Sequence, residues 1–186
     1  MQDLDEDIIK QYFTGNQEAL KSLIDRHTPS IYNYSVRFVG RDHANDITQE
    51  VFIKVWRNLK KFDINKSQFK TWLFTITRNT ITDYLRKKKM ILFSTLDRDE
   101  ENFADNIKDE AILPDEVYQK LQDKEILNRA LDELEDNYKT VLTLYYQEDM
   151  TFKEIGEVLG KPLNTVKSYH FRAIQKLKEI CTKINN

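Results

Sequence analysis

Apolar residues recur at helical spacing along most of the chain, and the pattern breaks once, near the middle. Leu4, Ile8, Ile9 and Tyr12 form a short first stripe. Leu20, Leu23, Ile24, Ile31, Tyr34 and Phe38 form a second, in which Pro29 permits a restart or a kink. A third helix is expected from Ala44 to Lys61, where Ile47, Val51, Val55 and Leu59 follow at i+4 spacing. A fourth, with Ser67 as candidate cap, carries Phe69, Trp72, Leu73, Ile76, Tyr84 and Leu85 and ends in Arg86, Lys87, Lys88 and Lys89. The polar stretch Asp63-Ile64-Asn65-Lys66 reads as the loop between them.

From residue 91 to 114 the periodicity is lost, acids accumulate and Pro114 appears, which reads as a linker. Beyond it, Asp115 suits the cap of a helix reaching Leu121. Ile126, Leu127, Ala130, Leu131 and Leu134 mark the next helix, and Tyr138, Val141, Leu142 and Tyr145 another. The expected architecture is all-α: two small helical domains, 1–90 and 115–186, joined by a flexible acidic linker at 91–114. With only 4 Gly and 3 Pro in 186 residues, a sandwich or barrel lacks its turns. No βαβ alternation or Gly-rich phosphate loop appears, which argues against a nucleotide-binding fold.

The sharpest local pattern begins at Thr151. Thr151 and Glu154 have the spacing of a capping box. The helix they open presents Ile155, Val158 and Leu159 on one face, with Gly156 where a second helix must cross closely. Gly160 can take the positive φ that ends a helix, and Pro162 suits a restart. In the next helix Val166, Tyr169, Ala173 and Leu177 are expected inward, and Lys167, Ser168, His170 and Arg172 outward. A helix packed through one face, with basic and hydrogen-bonding groups on the other, fits the DNA major groove. An ordinary helical hairpin with a solvated basic face fits the periodicity alone. The turn glycine, the small residue and the placement of Val166 favour a helix-turn-helix.

Charge sharpens that picture. The formal net charge is −2, lower than expected for a DNA-binding chain, but the distribution is uneven. Lys60 to Lys89 holds nine Lys and Arg against Asp63 and Asp83, and Lys161 to Asn186 holds six against Glu179. Between them Asp97 to Glu116 holds nine acids against Arg98 and Lys108. Two basic blocks around an acidic one suit nucleic acid at two places. The single cysteine, Cys181, allows no internal disulfide and is assigned no function, and the 3 histidines lack metal-ligand spacing. No metal, cofactor, small-molecule substrate or catalytic constellation is expected. The acidic start, MQDLDEDIIK, has no apolar core of a signal peptide, and no apolar run reaches membrane-spanning length. A cytoplasmic protein without membrane insertion is the expectation.

Three segments together resemble the extracytoplasmic-function group of the sigma-70 family. Asp46 to Trp56 resembles its helix for binding core RNA polymerase, Phe69 to Leu85 its −10-reading helix, and Leu134 to Leu177 its −35-reading domain. Their order, their spacing and the acidic stretch also agree, so the resemblance covers nearly the whole chain. It implies two helical domains, regions 2 and 4, without the region that separates them in larger sigma factors. It implies binding to the polymerase core, through the clamp coiled coil and the flap, and to promoter DNA both as duplex and as single strand. An anti-sigma partner is expected because no sensory domain is attached.

The resemblance also distributes roles. Asp46, Gln49, Glu50 and Ile53 share a helix face that periodicity alone reads as solvated; the resemblance makes it the docking surface for a basic coiled coil. For the −10 element it implicates Phe62, Asn65, Lys66, Trp72, Arg78, Asn79, Arg86 and Lys87. An aromatic surface can stack on unpaired bases, an amide can read a base edge, and basic residues hold phosphates. Trp72 equally suits a core position, and Phe69 is expected to be core. The loop from Phe62 to Gln68 matches the family's base-pocket loop in place and differs from it in length. For the −35 element it implicates Lys161, Asn164, Thr165, Lys167, Ser168, His170 and Arg172, although Lys161 and Tyr169 stand where many such motifs hold other residues. The linker is either a plain tether or a strand threaded near the RNA path. The rival reading is a stand-alone helix-turn-helix regulator.

Overall fold

The computed structural model describes residues 4–93 and 124–184, and among them all helices and no strands are found. The chain divides into two units, Met1–Glu100 and Glu101–Asn186.

In the first unit α1 spans Asp5–Phe13, α2 Gln17–Val39, α3 Arg41–Asn58 and α4 Phe69–Phe93. Asp5, Glu6 and Asp7 place negative charge in the first turn of α1, where the helix dipole favours it. Pro29 starts no new helix: α2 is a single element through it, with buried His27, Ile31 and Tyr34 on both sides. Gly40 alone joins α2 to α3, and its φ of 77° is one that side-chain-bearing residues rarely adopt. The third helix therefore starts at Arg41, before the expected Ala44, and its last turn tightens to a 3-10 turn, Leu59–Lys61. The fourth runs to Phe93, three residues into the expected linker, because nothing after Lys89 breaks a helix. The remainder of that stretch, and the helix expected from Asp115 to Leu121, lie outside the described residues.

The interior of this unit is part of the predicted stripes, with Phe74 added; Leu20, Ile24, Phe38, Ile76, Tyr84 and Leu85 are only half-buried. Leu23, Ile31 and Tyr34 of α2 meet Ile47, Val51 and Val55 of α3 and Phe69, Leu73 and Phe74 of α4, all buried. Tyr34 stands edge-on to Phe74 with ring centroids 5.5 Å apart. Ser35, Thr48, Thr77 and Thr80 are buried too. Each donates its hydroxyl to the carbonyl four residues back, at 2.7 to 2.9 Å, so these four enter the interior with their hydrogen bonds made; the hydroxyl of buried Thr71 has no such partner.

The second unit contains α5 (Lys124–Asp132), α6 (Asp136–Tyr146), α7 (Phe152–Leu159) and α8 (Leu163–Ile184). Ala130, Leu131, Leu134, Tyr138, Leu142, Ala173, Leu177 and Cys181 form its core, with Tyr169 packed against it. Ile155, Val158 and Leu159 of α7 are buried, as are Val141 and Leu144 of α6 and Val166 of α8.

Candidate protein and nucleic-acid interfaces

The α7–α8 turn follows from its sequence in detail. Thr151 Oγ1 accepts the Glu154 N–H at 3.3 Å, and the Glu154 carboxylate accepts the Thr151 N–H at 2.7 Å. Gly160 ends α7 in the left-handed region at φ 63°, and the Lys161 N–H returns to the Gly156 carbonyl at 2.9 Å. A Cβ on Gly156 would sit 2.8 Å from the Lys161 carbonyl oxygen and 3.7 Å from Val166. The turn's own backbone therefore requires the glycine, whereas the crossing helix, expected to be the reason, leaves ordinary contact distance at Val166.

On α8 the outward residues divide. Lys161, Asn164 and Lys167 are exposed, and Thr165 and Ser168 are half-buried. Arg172 is half-buried with its Nε covered. His170 does not face outward. It lies one turn after the buried Val166, about 40° round the helix from it. Its ring packs among Tyr145, Phe152 and Tyr146 at 5.1, 5.1 and 5.7 Å, and Nε2 lies 3.1 Å from the Tyr146 hydroxyl. Burial pushes its pKa below the ordinary 6.5. The outward arc includes a residue that the sequence reading passed over: Phe171, half-buried between the directions of Lys167 and Ser168. Its angular position was legible, but an aromatic on an amphipathic helix is ordinarily assigned to core.

On α3 the face opposite the core carries Asp46, Gln49, Glu50 and Ile53, all exposed, with Ile53 47% accessible. Glu50 pairs with Lys54 at 2.8 Å, and Lys54 also donates to Thr80 of α4 at 3.1 Å. Trp56, 59% accessible, lies on the same face three residues after Ile53. It was not picked out as a site residue, yet the signal was present: Val55 and Leu59 hold the stripe, so Trp56 has no place in it. An indole and an isoleucine left in solvent beyond two carboxylates form a surface that burial against a partner would stabilise.

Along α4, Trp72, Asn79 and Arg86 recur every seven residues and form one row; Trp72 is half-buried and the other two exposed. Arg86 pairs with Asp83 at 3.1 Å, and Lys87 is exposed beside it. Arg78 is not in the row: one residue before Asn79, it points about 100° away. At the head of the row Trp72 lies 5.2 Å from Phe62 and 5.8 Å from the buried Phe69. Trp72 is thus neither core nor free, and one side of its ring is held by Phe62. In the adjoining loop Asp63 Oδ1 accepts the backbone N–H of Asn65 at 3.0 Å and its side-chain amide at 3.2 Å, and Lys66 lies 3.5 Å from Oδ2. The Asn65 backbone bond chiefly, with Lys66 contributing, holds the Asp63 carboxyl below its usual range. Asn65 and Lys66 therefore fold back on the loop, and Ile64 is exposed there at 41%.

Among the described residues no helix is long and apolar enough to cross a membrane, and no group of His, Cys, Asp or Glu could hold a metal ion.

Comparison with known proteins identifies the family of both units. Residues 23–90 match the family model for sigma-70 region 2, and residues 124–177 that for sigma-70 region 4. The chain is 33% identical to the ECF RNA polymerase sigma factor SigW of Bacillus subtilis, over 92% of this chain and 93% of SigW. It is 30% identical to SigM of the same organism, over 87% of this chain and 94% of SigM. In fold it is similar to CnrH, solved with the cytosolic domain of CnrY, with a TM-score of 0.69 at 22% identity, covering 97% of this chain and 99% of that one. RpoE of Bartonella quintana, solved with the anti-sigma factor NepR, has a TM-score of 0.68 at 22% identity, covering 87% and 96%.

Proposed function

Because the chain belongs to the extracytoplasmic-function group of sigma-70 factors, the promoter-recognising subunits of RNA polymerase, we propose a division of that work between its two units. The α3 face docks the polymerase clamp through Ile53 and Trp56, with Asp46 and Glu50 selecting a basic partner and Gln49 at the edge. The α4 row and the Phe62–Gln68 loop receive the −10 element. Asn79 reads a base, Trp72 and Phe62 stack where the strands part, Asn65 shapes the loop, and Lys66, Arg78, Arg86 and Lys87 meet phosphates. The α8 face reads the −35 duplex through Asn164, Thr165, Lys167, Ser168, Phe171 and Arg172, with Lys161 on the backbone; His170 supports that face from beneath. The first domain runs to the end of α4 at residue 93, the second is 115–186, and 94–114 is the tether. The factor supplies recognition and opening, and polymerase core supplies the chemistry. It acts in the cytoplasm, where an anti-sigma factor holds it by covering these faces.

The observation that carries this reading is the Trp72–Asn79–Arg86 row. An aromatic, an amide and a guanidinium stand in line on one helix, the aromatic half-buried and the other two exposed. A stand-alone regulator has no use for an α3 face built for a protein partner, and it would bind its duplex tightly by itself. Reconstituted transcription with cognate core on a library of genomic fragments decides the matter. Transcripts from a set of related promoters, absent without core, are expected. Tight, specific duplex binding without core, and no change in transcript start sites with it, would overturn the proposal.

A further inference from the structure

The family match for region 2 begins at residue 23, so α1 stands outside it. Two carboxylates in its first turn reach the part of the unit that carries the −10 surface. Asp5 Oδ1 accepts from Arg26 Nη1 at 2.6 Å, and its Oδ2 lies 2.6 Å from His27 Nε2. Burial pushes the Asp5 carboxyl up, but the hydrogen bonds and charges of His27 and Arg26 outweigh it and hold the group below 3.8. Glu6 Oε1 accepts the N–H of Phe69 at 3.4 Å. Phe69 is the first residue of α4, and its amide has no partner within the helix.

From there the contacts run outward through rings. His27 lies 5.5 Å from Phe69, and Phe69 lies 5.7 Å from Phe62 and 5.8 Å from Trp72. Phe69 is 1% exposed and cannot move without its neighbours, whereas Phe62 and Trp72 reach solvent. The attachment of α1 itself is apolar, through buried Ile8 and Ile9. Glu6 ties the start of α4 to α1, and Asp5 ties α1 to Arg26 and His27 of α2, whose imidazole lies against Phe69.

We propose that Asp5 and Glu6 are positioning residues for promoter opening, holding the head of α4 and the Phe62–Phe69–Trp72 cluster in the geometry that receives the parted strands. This rests on the role proposed above for Trp72 and the adjoining loop. A surface that must catch transiently unpaired bases works only if it is set beforehand, since each base spends little time out of the stack. A carboxylate at the first amide of α4 fixes where that helix begins, and Trp72 is one turn on.

The test uses full-length protein in holoenzyme with cognate core, on a promoter recovered from the library transcription and carrying 2-aminopurine in its −10 element. Glu6→Ala and Asp5→Ala are expected to slow the fluorescence rise at saturating holoenzyme by about tenfold. Core affinity and closed-complex affinity should stay within about twofold, and a pre-melted template should restore the rate. Glu6→Gln, which keeps an acceptor oxygen, should retain most of the rate. Ile9→Val loosens α1 without touching the carboxylates, and it should leave opening unchanged at equal loss of thermal stability. Opening at the wild-type rate by both alanine variants would overturn the inference. So would opening and core binding that fall together in all variants, Ile9→Val included. Wild-type holoenzyme that transcribes without any −10 fluorescence change would instead overturn the opening role of Trp72, and this inference with it.

Discussion

The hydroxyl of Tyr146 on α6 lies 3.1 Å from Nε2 of His170 on α8, inside a group of rings completed by Tyr145 and Phe152. His170 is thereby part of what fixes α8 against α6 and α7, and its partial burial disfavours the charged ring.

Burial places the His170 pKa below the ordinary 6.5 in the folded chain. As pH falls, the unfolded chain takes up this proton first, so stability of the second unit declines from about pH 6.5 downward until folded His170 also protonates. NMR titration of His170, assigned by its loss in His170→Leu, should show a midpoint below 6.5. The melting temperature of that variant should depend less on pH between 7.5 and 5.5. A His170 midpoint at or above 6.5 would count against the buried placement.

At the helix-turn-helix, Gly156→Ala forces a methyl against the Lys161 carbonyl at 2.8 Å. It should cost about 1–3 kcal/mol of stability in the second unit. Gly160→Ala meets open space but must hold φ 63°, at a cost of about 1–2 kcal/mol. Denaturant titration of the full chain measures both, and negligible losses would show that the turn tolerates side chains.

Glu50→Lys with Asp46→Lys should abolish core binding while circular dichroism stays unchanged, because both side chains are exposed. Trp56→Ala should weaken core binding by about 2 kcal/mol or more, as expected for an indole buried at an interface centre. Pull-down and titration with labelled core check both. Full binding by the double variant would remove α3 as the docking face.

Arg172→Ala should weaken holoenzyme binding to duplex promoter by about 1–3 kcal/mol and leave a pre-melted −10 template largely unaffected. Asn79→Ala should show the reverse. Trp72→Ala should impair opening more than initial binding. A melting control is needed for it and for Arg172, since both side chains are half-buried. The same defect on both templates for Arg172→Ala and Asn79→Ala would refute the division of labour between the units.

Much of this molecule was legible from spacing alone. The stripe Ile47, Val51, Val55, Leu59 became the buried edge of α3, and Thr151, Glu154 and Gly160 became the cap and stop of α7, because these depend on neighbours within one turn. Helical periodicity likewise placed Asn79 and Arg86 outside the core and Phe69 within it. What the tertiary structure decided involves partners distant in sequence. His170 was assigned outward by its chemistry, and only Tyr145, Tyr146 and Phe152 from α6 and α7 make a pocket for its ring. Trp72 was balanced between core and surface until Phe62 covered one side of it. The reach of Glu6 to the amide of Phe69, 63 residues along the chain, follows no local rule. Local hydrogen bonding and periodicity settle where helices start, stop and face. Which side chains share a neighbourhood depends on how those helices pack, and that is a property of the whole unit.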